Sequence, residues 1–356
     1  MRNTAHNHSN RFCFVLIATA AAIATPAHAS TLTLGAAAGY NAFVLGNFTE
    51  SGTDSLGAIA VGGNFAPANN GGFNVATNHS GDGAGIYDLV VGGSFTDANN
   101  SLGGGSAFIG GNMTWTNPTL PNNVYVNGNF SNPSGGGSVG GTIYYGGTFS
   151  SGDPLANSQL ASPAADPIDF VSAQTNLNSL SSTLASQTAN GTVSDYYNTY
   201  TLTGTNASIN VFNLTSSSYS SATFNITAPS GSTVIINVAG AADSFSSSSI
   251  NLSGVSANDV IWNFSSATTL SVGTMAFYGA ILAPEATFTG NSGQINGQLI
   301  VDNAAGNTEL HDVLFEGALP AAATSATPEP GTWVLLLSGA VLIAVARRGQ
   351  QGEKRN

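Results

Sequence analysis

Leu89-Val90-Val91-Gly92-Gly93-Ser94-Phe95 is followed eighteen residues later by Ala107-Phe108-Ile109-Gly110-Gly111-Asn112-Met113, and this near-copy decides the fold. The unit reads apolar, any, apolar, any, Gly, polar, large apolar. Its last residue falls at Phe48, Phe65, Phe95, Met113, Phe130 and Phe149, with spacings of 17, 30, 18, 17 and 19. A recurrence of that length is one turn of a solenoid, because a single unit cannot bury its apolar face alone and must stack on neighbours. Two residues before each landmark stands Gly46, Gly63, Gly93, Gly111, Gly128 or Gly147; one before stands Asn47, Asn64, Ser94, Asn112, Asn129 or Thr148. A glycine at the same place in every turn points to a positive φ or to close backbone contact.

Strand alternation then assigns faces. Ala42, Ile59, Leu89, Ala107, Val124 and Ile143 are expected to point inward, as are Val44, Val61, Val91, Ile109, Val126 and Tyr145, together with the landmarks. Phe43, Ala60, Val90, Phe108, Tyr125 and Tyr144 are expected to point outward, yet they are mostly apolar, so something covers them or they bind something. A cover is available. Asp166-Pro167 reads as an N-cap and first helical residue, Phe170, Ala173, Leu177, Leu180 and Leu184 share one face, and Asn190-Gly191 is the stop. A helix over about 167–189 would be about 33 Å long at 1.5 Å per residue, the height of about seven rungs. An open carbohydrate-binding aromatic stripe is the alternative. The second half reads as strands at looser spacing, over 209–214, 222–227, 233–238, 250–252, 260–264, 279–283 and 298–301. The fold class is therefore mainly β: a β-solenoid, or β-helix, with one long α-helix packed alongside.

Only 7% of the 356 residues are charged, and the net charge is -12. Arg2, Arg11, Arg347, Arg348, Lys354 and Arg355 are the only basic residues, so Phe12 to Ala346 contains no Lys or Arg. Nucleic acid is excluded as a partner of this region, since phosphate neutralisation needs those side chains. The acids are scattered and form no D-x-D-x-D-G calcium loop. Arg2 and Arg11 flank the start of an apolar run to Ile23, and Ala27-His28-Ala29 is a small-x-small cleavage pattern, so residues 1–29 read as a signal peptide. The single cysteine, Cys13, leaves with it, and the exported chain holds itself without disulfides.

At the other end a linker over 319–327 leads to Pro328-Glu329-Pro330, an apolar segment over about 331–346 and Arg347-Arg348. This tail, 328–356, resembles the PEP-CTERM sorting signal. The resemblance implies a Gram-negative host, processing by an exosortase, an association with exopolysaccharide and transient membrane anchoring through the short C-terminal helix.

A second resemblance spans nearly all of residues 35–317. Tyr40-Asn41-Ala42-Phe43-Val44-Leu45-Gly46-Asn47-Phe48, Trp262-Asn263-Phe264, Tyr278-Gly279-Ala280-Ile281-Leu282-Ala283-Pro284, Asn296-Gly297-Gln298 and Glu309-Leu310-His311 are similar to the motifs of the choice-of-anchor A family. That family implies an adhesive surface domain, here residues 30–318, with a solenoid like that of certain ice-binding proteins and whichever anchor its host uses. It defines no catalytic, cofactor or metal residues. The ligands it suggests are exopolysaccharide or a host or matrix glycan or protein.

The chemistry-bearing residues agree. His79 and His311 lack metal-site spacing, and His311 and Asp312 are neighbours on a strand-like stretch. A solenoid lyase would need Lys or Arg near its substrate carboxylate. A glycosidase needs two carboxylates, and Asp82, Asp88 and Asp97 are available, although solvated turn residues would look the same. Thr31-Leu32-Thr33, Thr201-Leu202-Thr203 and Thr287-Phe288-Thr289 suggest ice binding, but they do not recur at the rung period. The function expected is an exported, non-enzymatic surface or matrix protein with an adhesive or biofilm role. A glycosidase-type solenoid enzyme and an ice-binding protein are the alternatives.

Overall fold

The computed structural model describes residues 32–50, 52–67, 74–76 and 87–320. The expected signal peptide with Ala27 and Ala29 lies outside them, as does the expected sorting tail with Pro328, Glu329, Pro330, Arg347 and Arg348. Within the unit 31–321, the chain winds as a β-solenoid with three strands per turn, joined by parallel ladders along three faces. Among the described strands only the last of one face, Thr192–Tyr196, pairs antiparallel, to Thr199–Thr203.

On the first face the rungs run, in spatial order, through 157–159, 143–145, 124–126, 106–109, 87–91, 59–61 and 42–44. They continue directly into 299–301, 280–283, 260–263, 233–238 and 209–214. These rungs reach about 53 Å at 4.8 Å each. The first strand of the domain, Ala42–Val44, therefore sits in mid-solenoid, between Ile59–Val61 and the late strand Leu299–Gly306. The first half of the chain winds from this seam to one end, the chain crosses over as a helix, and the second half winds back from the other end to the seam.

The faces follow the alternation. Ala42, Ile59, Leu89, Ala107, Val124, Ile143 and the buried landmarks join Phe212, Phe224, Phe245, Trp262 and Phe277 in one interior core. Tyr145 and Phe149, in the outer turns, pack against it only partly buried. The repeated glycines serve close approach: a Cβ on Gly93 would lie 2.6 Å from the Gly63 carbonyl oxygen, and none of the six has positive φ. The polar residue beside each glycine ties rung to rung. Asn64 N donates to Asn47 Oδ1 at 2.8 Å, Ser94 N to Asn64 Oδ1 at 2.8 Å, Asn129 N to Asn112 Oδ1 at 2.9 Å and Thr148 N to Asn129 Oδ1 at 2.8 Å.

The helix is Phe170–Ala185, shorter at both ends than 167–189. Asp169, not Asp166, is its N-cap: its carboxylate accepts from Val171 N and Ser172 N at 3.1 and 3.0 Å and from Ser172 Oγ at 2.7 Å. It ends before Asn190-Gly191 because that pair is drawn off to the edge strand Ile209–Leu214. Val211 N donates to Asn190 Oδ1 at 2.7 Å, and Asn190 Nδ2 donates to the Ile209 carbonyl at 2.9 Å.

The cover is also displaced along the solenoid. At about 24 Å the helix spans about five rungs, and it packs on both halves. Phe170 meets Phe43 at 5.4 Å, while Leu177, Leu180 and Leu184 bury Ile235, Ile261, Leu282 and Ile300 in a second cluster. Phe43, Ala60, Val90 and Phe108 are buried in that cluster too. Tyr125 and Tyr144 remain half-buried, stacked on each other at 4.9 Å. The strands 242–246 and 269–278 escape a reading by alternation because Asp243, Gly273 and many Ser and Thr dilute their apolar pattern.

Candidate functional site

Most of the residues that carry the choice-of-anchor A resemblance are packed into the fold. Trp262 and Phe264 are interior, and Trp262 Nε1 donates to the Tyr278 carbonyl at 3.0 Å across Gly279, whose φ is +114°. Asn263 faces outward and holds the helix: its Nδ2 donates to the Ser181 carbonyl at 2.9 Å and to Asn237 Oδ1 at 2.8 Å, and Ser181 Oγ donates to Asn263 Oδ1 at 2.6 Å. Asn237 in turn donates to the Leu184 carbonyl at 3.0 Å and to Asn213 Oδ1 at 3.2 Å. Leu282 lies under the helix, and Ala283 and Pro284 are buried. Gln298 is buried at the seam, donating to the carbonyls of Ala37 and Tyr40 at 2.9 and 2.8 Å and accepting from Phe315 N at 2.9 Å. Gly297 lies beneath Gly279, and Asn41 Nδ2 donates to its carbonyl at 3.1 Å. Asn296 and Tyr278 are half-buried and line a cleft on the third face. Sequence reading missed the ladder of Asn213, Asn237 and Asn263, although an Asn at the same offset in three apolar strands was its signal.

Asp88 and Asp97 are not solvated turn residues. Asp88 is buried and accepts from Gly104 N at 3.2 Å and from Gly105 N. Asp97 is buried, and burial pushes its carboxyl up to about 7 although Ala98 N and Asn100 Nδ2 donate to it. Asp243, 3% exposed with no hydrogen-bond partner among the described residues, is pushed up to about 6 by burial. Asp82 and His79 lie outside the described residues; His311 Nε2 is 3.2 Å from Glu309 Oε1. Among the described residues no three His, Cys, Asp or Glu are grouped to hold a metal ion, and no helix is long and apolar enough to cross a membrane.

The second face offers a surface instead. Register places Ser150, Ser131, Thr114, Thr96, Ala66 and Thr49 in one outward column. The column continues across the seam through Ala305, Thr289, Ser271, Ser244 and Ser218. These side chains are small, exposed or half-exposed, uncharged and about 4.8 Å apart. The Thr-x-Thr pairs do not recur as such: on this face Thr287-Phe288-Thr289 pairs with Thr269-Leu270-Ser271, and on the third face Thr201-Leu202-Thr203 pairs with Asn225-Ile226-Thr227, so the pattern is kept only as small polar residues. Loops of unequal length hide this in the sequence.

The chain is thus a discontinuous β-solenoid with a docked helix and an uncharged, hydroxyl-rich face. The chain belongs to the family described as Putative Ice-binding-like adhesive domain, whose model matches residues 33–122 and 114–312. Similar solved structures are an ice binding protein from an Antarctic Biological Consortium, 14% identical over 79% of this chain and 90% of that one with a TM-score of 0.29. Another is an ice binding protein from an Antarctic bacterium Flavobacteriaceae, 13% identical over 79% and 98% with a TM-score of 0.22. No curated protein matches the chain.

Proposed function

We propose that this chain is an exported, non-enzymatic adhesin of the choice-of-anchor A type that contacts its target through the hydroxyl face. The observation that carries the reading is the uncharged column from Ser150 to Ser218, exposed or half-exposed among the described residues. A flat row of hydroxyls on a rigid ladder meets a hydroxyl-rich polysaccharide or matrix with no ordering of its own side chains, which removes much of the entropic cost of binding. Phe315 and Leu319 pack against the helix cluster, so the chain leaves the domain on the helix side. Localisation at the surface or in the extracellular matrix, and a biofilm role, follow from this reading. Exosortase processing rests instead on the resemblance of the tail from Pro328-Glu329-Pro330 to Arg347-Arg348 to the PEP-CTERM signal.

The test is a Thr49→Tyr, Thr114→Tyr, Thr289→Tyr variant, which roughens the face without touching the core. Retention on the host's own exopolysaccharide should fall while thermal unfolding stays unchanged; equal retention sinks the reading. Replacing Pro328, Glu329 and Pro330 by Ala should leave the tail on the exported chain, and a mature form of normal mass argues against the exosortase. The same regular face favours a second reading, ice binding. Thermal hysteresis that disappears in the triple Tyr variant would select it.

A further inference from the structure

The third face splits where nothing in the repeat demands it. Strands Ser249–Ser253 and Thr269–Tyr278 belong to consecutive turns, yet no ladder joins them there: the first ends a small sheet and the second belongs to the large one. The chain between Ser253 and Val260 makes a detour through a 3-10 turn, Ala257–Asp259, instead of a tight corner. The detour is fastened by Asp259, which accepts from Ser256 N at 2.9 Å and Ser256 Oγ at 2.7 Å. It is fastened again by Asn258, whose Nδ2 donates to Glu316 Oε2 at 2.8 Å and whose carbonyl accepts from Glu316 N at 2.8 Å. The opening is therefore held by bonds around its rim. It is a cleft of ≈ 500 Å³, within the range of small-molecule sites, about 300–1,000 Å³.

We propose that this cleft binds a neutral saccharide. Leu252, Val313 and the half-buried ring of Tyr278 supply apolar wall, while Asn251, Asn296 and Ser256 supply amides and a hydroxyl. A sugar ring has that same division, a C–H face to lie on an aromatic and a rim of hydroxyls for amides. Asn251 spends one donor on Asn225 Oδ1 at 2.9 Å, and Asn296 has only long contacts, 3.4 and 3.5 Å, so both keep capacity to bond a ligand. No lining residue is charged, and the carboxylates of Asp259 and Glu316 are engaged in the rim, so the lining itself selects no ionic ligand. An inserted peptide strand does not fit. The two strands approach within 8 Å between Cα atoms, whereas a strand between them would hold them about 9.6 Å apart. The site is on a different face from the hydroxyl column and does not depend on it.

Calorimetric titration of the full chain with neutral glucose, mannose and galactose tetrasaccharides tests the proposal, with an oligogalacturonate and a neutral decapeptide as competitors. At least one neutral tetrasaccharide should bind with Kd below about 1 mM. Asn251→Leu, at an exposed position, and Tyr278→Ala should each weaken it about tenfold or more, while Thr289→Tyr on the hydroxyl face leaves it unchanged. Thermal unfolding of Asn251→Leu should match the parent, so that loss of binding is local. No binding by any neutral tetrasaccharide overturns the proposal, as does binding that Asn251→Leu does not weaken. A preference for the oligogalacturonate or the decapeptide overturns it too, as does loss of binding in Thr289→Tyr.

Discussion

The Gln298 side-chain amide donates to the Tyr40 carbonyl at 2.8 Å, joining residues 258 positions apart at the seam where the two halves of the solenoid meet. The same amide group serves the Ala37 and Ala38 carbonyls, and its oxygen accepts from Phe315 N. One buried side chain thus holds the entry and the exit of the domain together.

Gln298→Leu keeps the volume and strands those partners. Leaving a buried polar group unsatisfied costs about 1–3 kcal/mol, so a loss of at least about 2 kcal/mol is expected. Hydrogen exchange should show residues 41–45 losing protection ahead of residues 107–126. Uniform exchange across the two segments would argue against a seam that opens locally.

Leu177→Asp with Leu180→Asp should undock the helix, because burying an unpaired carboxylate costs several kcal/mol. Ile261, Leu282 and Ile300 would be uncovered, so the variant should bind a hydrophobic dye and be cleaved near residues 160–190 while its strand signal persists. Unchanged proteolysis would show that the helix is not held by this face.

Gly93→Val forces a Cβ to within 2.6 Å of both the Gly63 carbonyl oxygen and Asn64 Oδ1, neither of which can retreat without breaking the ladder. A loss of about 1–3 kcal/mol or more is expected from such overpacking. Thr96→Val, on the neighbouring outward position, should change stability little. Equal unfolding midpoints for the two variants would refute close approach as the reason for the glycine.

Asp97 and Asp243 have carboxyls raised to about 7 and about 6 by burial, above their ordinary 3.8. The folded chain therefore binds more protons than the unfolded one between pH 4 and 7, and stability falls as pH rises through that window. Unfolding temperature should be higher at pH 5 than at pH 8, the reverse of ordinary acid denaturation. Asp97→Asn with Asp243→Asn should flatten the dependence and raise stability at pH 8. An unaltered slope in the double variant would assign the effect to surface charge.

The sequence by itself determined the local rung. The offsets of Val44, Gly46, Asn47 and Phe48 in successive turns dictate which residues face inward, where the chain must pass close to itself and how one turn bonds to the next, because alternation and steric contact are local. It also set the helix and its apolar face, since Leu177, Leu180 and Leu184 meet at helical spacing whatever lies beneath. Only the tertiary structure decided the order of the rungs. Every parallel rung offers the same backbone bonds to any other, so nothing in Ala42–Val44 announces that Leu299–Val301 will lie on its far side. That choice is made by contacts distant in the sequence, Gln298 with Tyr40, 258 positions apart, and Asn263 with Ser181, 82 apart. The hydroxyl face and the cleft beside Tyr278 follow from it, because each is assembled from turns separated by loops of different length.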